Sequence, residues 1–328
     1  MDPAARLAGL LDDYSLEMTG KDVAELSAAR ELLPAGARVN ITFLGGEDVR
    51  LRLAAAAAVK AYGLTPVPHI SARRLSSRRE LADFLEALRL VRVAADNVFV
   101  AGGDPDQPQG PFADSRSVID SGLLEDHGVR RVSIAGYPEG HPGIPGDVLW
   151  PTLTGKLAAL DSRGLAAEVI TQFGFDADPV LDWIAAVRER GFDVPIRVGV
   201  PGPAGVRRLL RFATRFGVGT SAGLAQRYGA DLLATAGPDA FLRALATDYH
   251  PDRHGRVKLH FYTFGGLRAT TEWIRDFRSE TMELAVQSGS CGSRAAGDID
   301  DERRSEHAQR SHHREPGHPE PGADRLPS

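Results

Sequence analysis

The chain has 328 residues, of which 42% are hydrophobic and 25% charged, which is the ordinary composition of a folded globular protein. Its formal net charge of −5 does not favour nucleic acid or an anionic membrane as a partner. The single cysteine, Cys291, excludes a disulfide within the chain and a cysteine-based metal centre, and no apolar stretch approaches the ~20 residues of a membrane span, so we expect a cytoplasmic protein with no metal site.

The first half of the chain alternates short apolar stretches, typical of buried strands, with longer stretches of helical spacing. We predict strands at 14–19, 39–44, 65–70 and 97–101. Helices are predicted at 4–12, 23–33, 47–62, 78–93 and 115–127. We expect the third strand to be short, because Pro66 and Pro68 lack the N–H that strand pairing uses.

The second half continues this alternation around one unusual loop. Between Gly136 and Gly146, three prolines and four glycines exclude a regular helix or strand. Strands are predicted at 131–137, 168–173, 195–200 and 257–264, and helices at 151–162, 179–190, 204–216 and 269–285. Two further helical stretches, 220–228 and 237–248, are predicted to form an insertion before the last strand.

Eight strands alternating with helices predict a single-domain (β/α)₈ TIM barrel over residues 1–287. A doubly wound sheet that binds a dinucleotide would show a GxGxxG turn after the first strand, and Glu17-Met-Thr-Gly stands there instead. Residues 288–328 have almost no apolar content, so we predict a disordered polar tail.

In such a barrel the functional groups follow the carboxyl ends of the strands. Polar side chains occur at almost every predicted strand end. They are Glu17, Thr42, His69, Asp104, Tyr137, His141, Gln172, Tyr262 and Thr263. We therefore expect one polar rim, drawn from at least seven strands.

Two carboxylates on this rim each allow two interpretations. Glu17 lies in an apolar stretch, where a carboxylate is costly unless it is protonated, as a general acid is, or paired with an arginine such as Arg73. Asp104 follows two glycines that let a ligand approach the backbone, and an Asx turn before Pro105 is the structural alternative.

The neutral rim residues are ambiguous in the same way. His69 is read as a core histidine bonded to backbone. Gln172 suits recognition of an amide or pterin-like edge, or a simple hydrogen bond at the strand end. Three phenylalanines, Phe173, Phe175 and Phe212, are of a type found more often in the core than as ligand platforms.

Six segments at the strand ends together resemble a known family. They are VNITF, PHIS, NVFVAGGDPD, IAGYPEGHP, VITQFGFD and LHFYTF, in this order. The resemblance is to the methylenetetrahydrofolate reductases, which are (β/α)₈ flavoproteins, and it spans about residues 14–285. The loop AGYPEGHP and the strand end ITQFGFD carry it most specifically, since barrel architecture requires neither.

The resemblance implies a reaction and a set of residues. It implies interconversion of 5,10-methylenetetrahydrofolate and 5-methyltetrahydrofolate with FAD and NADH or NADPH. Glu17 matches the family's general acid and also a folate contact, and Asp104 matches the aspartate beside the flavin and pterin. Further folate contacts are implied at Gln172 and Phe212. The implied FAD contacts are Thr42, His69, Gly103, Asp104, Ala113, Tyr137, His141 and, for the diphosphate, Lys156.

The chain departs from the family pattern at several of these places. The first strand reads LEMTG instead of EFFPP, and Lys156 is the one remaining candidate for the diphosphate in the stretch 152–156. Arg208 replaces a glutamine, and Gly266 an arginine. A flavin-independent NADH-dependent folate reductase, a barrel transferase or lyase acting on another one-carbon carrier, and a folate-binding protein therefore stay open, as does a homo-oligomeric state.

Overall fold

The computed structural model describes residues 2–91, 93, 96–218 and 235–281. Eight parallel strands form the core of the structure: β1 (Ser15–Met18), β2 (Arg38–Ile41), β3 (Thr65–Ser71), β4 (Asn97–Ala101), β5 (Arg131–Gly136), β6 (Ala166–Phe173), β7 (Ile196–Pro201) and β10 (Val257–Tyr262). They close into a barrel in the order β1-β10-β7-β6-β5-β4-β3-β2, which confirms the predicted TIM barrel. Two short strands, β8 (Ala204–Gly205) and β9 (Thr235–Ala236), pair antiparallel outside the barrel.

Helices follow the strands and cover the barrel. They are α1 (Pro3–Leu11), α2 (Val23–Ala29), α3 (Val49–Ala61), α4 (Arg78–Leu90), α5 (Ser115–Ile119), α6 (Leu123–Asp126), α7 (Gly146–Ser162), α8 (Ala177–Glu189), α9 (Val206–Phe216), α10 (Asp239–Asp248), α11 (Pro251–His254) and α12 (267–281). None of the helices in the described ranges is both long and apolar enough to cross a lipid bilayer.

Two predicted elements differ from the observed ones for identifiable reasons. The helix predicted at 115–127 is two short helices, because Gly122 has a φ of +79° that breaks the helical path. The expectation of a short third strand is wrong, since β3 has seven residues. Its two prolines lie where β3 pairs with β2 alone, and β4 joins only from His69, so fewer backbone donors are needed there. The predicted helix 220–228 and tail 288–328 lie outside the described residues.

The amino-terminal end of the barrel contains a buried ionic network. The carboxylate of Glu168 on β6 accepts hydrogen bonds from Arg38 at 2.8 Å, Arg197 at 2.9 Å and the Ser133 hydroxyl at 3.0 Å. Arg197 also reaches Asp13, just before β1, at 3.0 Å. The network therefore joins β1, β2, β5, β6 and β7 at the end of the barrel opposite to the predicted polar rim.

Candidate active site

A cavity of about 610 Å³ lies at the carboxyl ends of β4 and β5. Its walls are the residues after these two strands, the first turns of α7 and the end of α9. This volume is within the range of about 300–1,000 Å³ typical of small-molecule sites. Five of the predicted site residues line it, namely Gly103, Asp104, Tyr137, His141 and Lys156.

Lys156 places a buried cation in the wall of this cavity. The residue is 5% exposed on α7, and none of the described residues forms a hydrogen bond or ion pair with its ammonium. Burial lowers the pKa of Lys156 to about 8, and the carboxylate of Asp114 acts in the opposite direction. An unpaired buried ammonium is costly by itself, so this side chain suits an anionic ligand.

The loop after β5 brings two titratable rings to the same cavity. The rings of Tyr137 and His141 are 5.0 Å apart, and the His141 Nδ1 accepts a hydrogen bond from the Gly143 N–H at 3.1 Å. Burial raises the pKa of Tyr137 and lowers the pKa of His141. Both shifts favour the neutral forms, so the two rings offer hydrogen bonds without charge.

Asp104 lies at the rim of the cavity as an ion-paired carboxylate. It follows Gly103, whose φ of +91° and close approach to the Ser71 hydroxyl leave no room for a side chain. The carboxylate accepts a hydrogen bond from the Arg74 Nε at 3.0 Å. The structure thus gives this carboxylate an arginine partner, where the alternative from sequence was an Asx turn before Pro105.

Glu17 is paired with a histidine from the last barrel strand. Its Oε2 is 3.4 Å from the Nε2 of His260, whose Nδ1 is 2.9 Å from the Ser15 hydroxyl. His260 is 1% exposed, so this imidazole is held firmly. Of the two interpretations of Glu17, pairing with an arginine such as Arg73 is not observed, because the Arg73 guanidinium donates to the carbonyl of Ala113 at 2.8 Å.

The phenol of Tyr262 is buried near Glu17 and Tyr137. Its hydroxyl donates to the Thr171 carbonyl at 3.1 Å. Burial raises the pKa of Tyr262 well above its ordinary value, and the neighbouring Glu17 and Tyr137 raise it further. Glu17 and Tyr137 therefore lie within electrostatic range of one buried phenol, although they come from distant parts of the chain.

Thr42 and His69 lie on the side of the rim formed by β2 and β3. The Thr42 hydroxyl donates to the Met18 carbonyl at 3.2 Å. The Nε2 of His69 is 3.3 Å from the Oδ1 of Asn40, so its partner is a side chain and not the expected backbone group. Burial lowers the pKa of His69 to about 4, which keeps the ring neutral near pH 7.

Gln172 and Phe212 lie together on the side of β6 and α9. The Gln172 amide donates to the Phe216 carbonyl at 2.5 Å, which is the strand-end hydrogen bond allowed by the sequence. Its Oε1 is buried and has no donor among the described residues. The Phe212 ring is stacked on Phe264 at 4.2 Å. These two residues do not line the large cavity, but Phe216 lines it and contacts both of them.

Sequence reasoning did not identify His260 as a member of the site. A signal for it exists in the sequence, since His260 and Tyr262 are two residues apart on one strand and therefore face the same side. The pairing of β10 with β1 then places this face beside Glu17. Arg74, the partner of Asp104, was also missed, and nothing in its local sequence indicates that pairing.

Comparison with known proteins bears directly on this arrangement. The model of the methylenetetrahydrofolate reductase family matches residues 19–274, which is most of the chain. The chain belongs to this family. Methylenetetrahydrofolate reductase 2 of Saccharomyces cerevisiae is 36% identical over 69 residues, a match that covers 21% of this chain and 11% of that protein. The match thus spans a small part of this curated methylenetetrahydrofolate reductase.

The solved structures that the chain resembles in backbone fold have low sequence identity to it. The catalytic domain of a mannanase from Streptomyces sp. SirexAA-E is 16% identical, with a TM-score of 0.43 and coverage of 75% of this chain and 74% of that one. A tryptophan synthase of Mycobacterium tuberculosis is also 16% identical, with a TM-score of 0.39 and coverage of 75% and 96%. At these scores neither says anything further about this member of the reductase family.

Proposed function

We propose that the chain interconverts 5,10-methylenetetrahydrofolate and 5-methyltetrahydrofolate, with NADH or NADPH as the hydride source. The observation that carries this proposal is the carboxyl group of Glu17, which meets the buried imidazole of His260 at the mouth of the barrel. Membership of the reductase family supports a folate-linked oxidoreductase of one-carbon metabolism.

Reduction of the folate consumes one hydride and one proton. The bond between the bridging carbon and N10 breaks, N10 takes the proton, and the bridging carbon takes the hydride to become the methyl group. Glu17 is the group that we assign to deliver this proton as a general acid. The contact of 3.4 Å with His260 holds the carboxyl in one orientation, which makes His260 a positioning residue.

The folate itself is assigned to the side of the barrel mouth formed by β6 and α9. The buried Oε1 of Gln172 has no donor among the described residues, so it is available to an N–H of the pterin edge. The stacked rings of Phe212 and Phe264 offer an apolar face for the rest of the molecule. Asp104 lies on the opposite side of the rim. We assign it the role of the family's aspartate beside the flavin and the pterin.

The wall of the large cavity has features suited to bind the diphosphate of the family's FAD cofactor. The unpaired ammonium of Lys156 and the first turn of α7, which begins at Gly146 in the cavity wall, both favour an anion. We assign Lys156 to the diphosphate of FAD, and Gly103, Tyr137 and His141 to the remainder of the cofactor. Bound FAD would supply the hydride relay between the nicotinamide and the folate.

A second candidate is direct hydride transfer from NADH without a flavin. The observation that favours it is the face of α7 toward the cavity, where Leu149, Trp150 and Leu153 stand beside one cation, Lys156. A nicotinamide dinucleotide carries a diphosphate too, so the same lysine serves either ligand. A transferase or lyase acting on another one-carbon carrier, and a protein that only binds folate, are the remaining alternatives.

A visible spectrum and an anaerobic assay distinguish these candidates. Bound FAD gives the purified protein a yellow flavin band, which NADH or NADPH bleaches and 5,10-methylenetetrahydrofolate restores. A colourless protein that still oxidises NADH when methylenetetrahydrofolate is added supports the second candidate. A protein that binds the folate and oxidises neither NADH nor NADPH, with or without added FAD, contradicts the proposed reductase.

The substitution Glu17→Gln tests the general acid. We expect folate reduction to fall by about 10²- to 10⁴-fold, because a positioned acid contributes about that much, while folate binding changes little. If FAD is bound, its reduction by NAD(P)H continues. Glu31→Gln, which alters a carboxylate that is 85% exposed, is the matched control. Equal loss of flavin reduction and folate reduction would remove Glu17 from this role.

A further inference from the structure

A second cavity, of about 320 Å³, lies between α3 and α4, where these helices cover β3. Its volume is at the lower end of the range for small-molecule sites. Among the described residues, it shares no wall residue with the large cavity of the candidate active site. One of its wall residues, His69, is an implied flavin contact, so a ligand bound here has to be distinguished from FAD by experiment.

Arg52, near the start of α3, places a buried cation in the wall of this cavity. The residue is 6% exposed, and its guanidinium lies over the Phe43 ring at 3.6 Å and the Phe84 ring at 4.6 Å. These cation–π contacts stabilise the charge but provide no oxygen acceptor. Its Nε is buried without a partner, and none of the described residues forms a hydrogen bond or ion pair with this guanidinium. Its N–H donors are therefore unused, whereas the equally buried Arg197 donates to Glu168 at 2.9 Å.

Two carboxylates act on the charge of Arg52 without bonding to it. Burial lowers the pKa of Arg52 to about 10, and the carboxylates of Glu47 and Glu80 act in the opposite direction. Glu80 already accepts hydrogen bonds from the Ser76 N–H at 2.7 Å and the Ser76 hydroxyl at 2.6 Å. The Glu47 oxygens are buried and have no donor among the described residues, and Glu47 does not line the cavity. Arg52 thus stays protonated near pH 7, and its donors are available to a ligand.

The rest of the cavity wall is mainly apolar. Its apolar side chains come from both helices, from β3 and from the chain between β3 and α4: Val49, Leu53, Ile70, Leu75 and Ala87. At the exposed edge, Arg79 and Asp83 lie 3.5 Å apart, so their charges offset each other. One available cation in an apolar wall suits a ligand that has an apolar body and a single negative group.

We propose that the cavity between α3 and α4 binds a small apolar carboxylic acid, with its carboxylate on Arg52. A carboxylate matches the planar fork of N–H donors of a guanidinium, and such charge-assisted hydrogen bonds are stronger than those to a neutral acceptor. The apolar body of the acid, an aromatic ring or a branched alkyl group, packs against the apolar wall. This site is separate from the proposed folate reductase and does not depend on it.

A ligand-observed NMR titration of the full chain tests this site with 3-phenylpropionate and its amide, 3-phenylpropionamide. We expect saturable binding of the acid, at least about tenfold tighter than binding of the amide, because the two differ in the charge of the group that meets Arg52. Glu47→Gln removes a nearby negative charge and should tighten binding of the acid. Equal affinity for acid and amide overturns the proposal. Displacement of the acid by FAD does so too, since it would place the acid in the cofactor site.

Two substitutions on α4 locate the bound acid without altering Arg52. Ala87→Leu fills part of the cavity and should weaken binding of 3-phenylpropionate by at least about tenfold. Ala82→Leu, on the same helix but outside the cavity wall, is the matched control and should keep the full affinity. Thermal unfolding by circular dichroism checks that both variants are folded. Full affinity in a folded Ala87→Leu variant, or no saturable binding to the unaltered chain, contradicts the proposed site.

Discussion

The buried ammonium of Lys156 links ligand binding to stability within a single residue. Among the described residues it has no hydrogen-bonding partner, and the carboxylate of Asp114 offsets the effect of burial only in part, so the charge is costly in the folded protein. We expect Lys156→Met, which keeps the length of the side chain, to raise the free energy of unfolding by about 1–2 kcal/mol. The same variant should bind the dinucleotide at least about tenfold more weakly. Urea unfolding and ligand titration measure the two effects, and a less stable variant would contradict the expectation.

The lowered pKa of Lys156 also predicts opposite pH trends. Between about pH 8 and pH 10.5 the unfolded chain keeps the proton that the folded chain releases, so stability from this group rises with pH. Dinucleotide affinity falls over the same range, because the neutral amine no longer attracts the diphosphate. Lys156→Met should abolish both trends, which makes it the control for other groups that titrate there.

At the scale of elements, the contact between β6 and β7 positions the candidate folate site. Their register shifts between Ile170 and Phe173, and the Gly199 N–H donates to the Thr171 hydroxyl at 2.8 Å at this point. A Cβ on Gly199 would lie 2.5 Å from the Thr171 carbonyl oxygen and 2.7 Å from that of Gln172. Both are backbone atoms, so the strands themselves would have to separate.

We therefore expect Gly199→Ala to reduce the free energy of unfolding by about 1–3 kcal/mol, as overpacking does. It should also raise the KM for the folate, since the strand that carries Gln172 is displaced. Gly9→Ala is the matched control, because no atom lies within 4 Å of the Cβ added at this exposed position of α1, and it should stabilise the helix by about 0.5–1 kcal/mol. Chemical unfolding and steady-state kinetics provide the measurements, and unchanged stability in Gly199→Ala would refute the close contact.

At the scale of the whole molecule, the ionic network of Glu168 joins five parts of the barrel. Burial by itself would raise the pKa of Glu168, but the charges of Arg197 and Arg38 and the hydrogen bonds from Arg197 and Ser133 outweigh it and lower the pKa. A lowered pKa in the folded state gives stability that is present above the unfolded value of about 4.5 and is lost as the pH falls further.

Glu168→Gln leaves Arg197, which is 2% exposed, without its buried counter-charge. We expect a loss of about 3–5 kcal/mol near pH 7, which is typical when one partner of a buried ion pair is removed. Thermal unfolding between pH 3 and pH 7 should show a smaller pH dependence in this variant than in the unaltered chain. Exposed Glu189→Gln is the control and should retain the full acid dependence.

Much of the barrel was predictable because local apolar spacing and turn residues specify its elements. Pro66 and Pro68 misled the prediction of β3, because the number of neighbours at each position is a property of the sheet. Within the site, the sequence predicts that Gly103, Tyr137 and Lys156 contact one cofactor, and in the structure all three line one cavity. Assignment of their chemical roles stays a prediction.

The sequence by itself determined the alternation of strands and helices, the membership of the reductase family and the kinds of side chain at the barrel mouth. These properties depend on residues that are close in the chain, or on motifs that can be read in order. Only the tertiary structure decided which groups are paired. Glu17 meets His260, not Arg73, because closing the barrel brings together two residues that are 243 positions apart, and no local pattern encodes that contact.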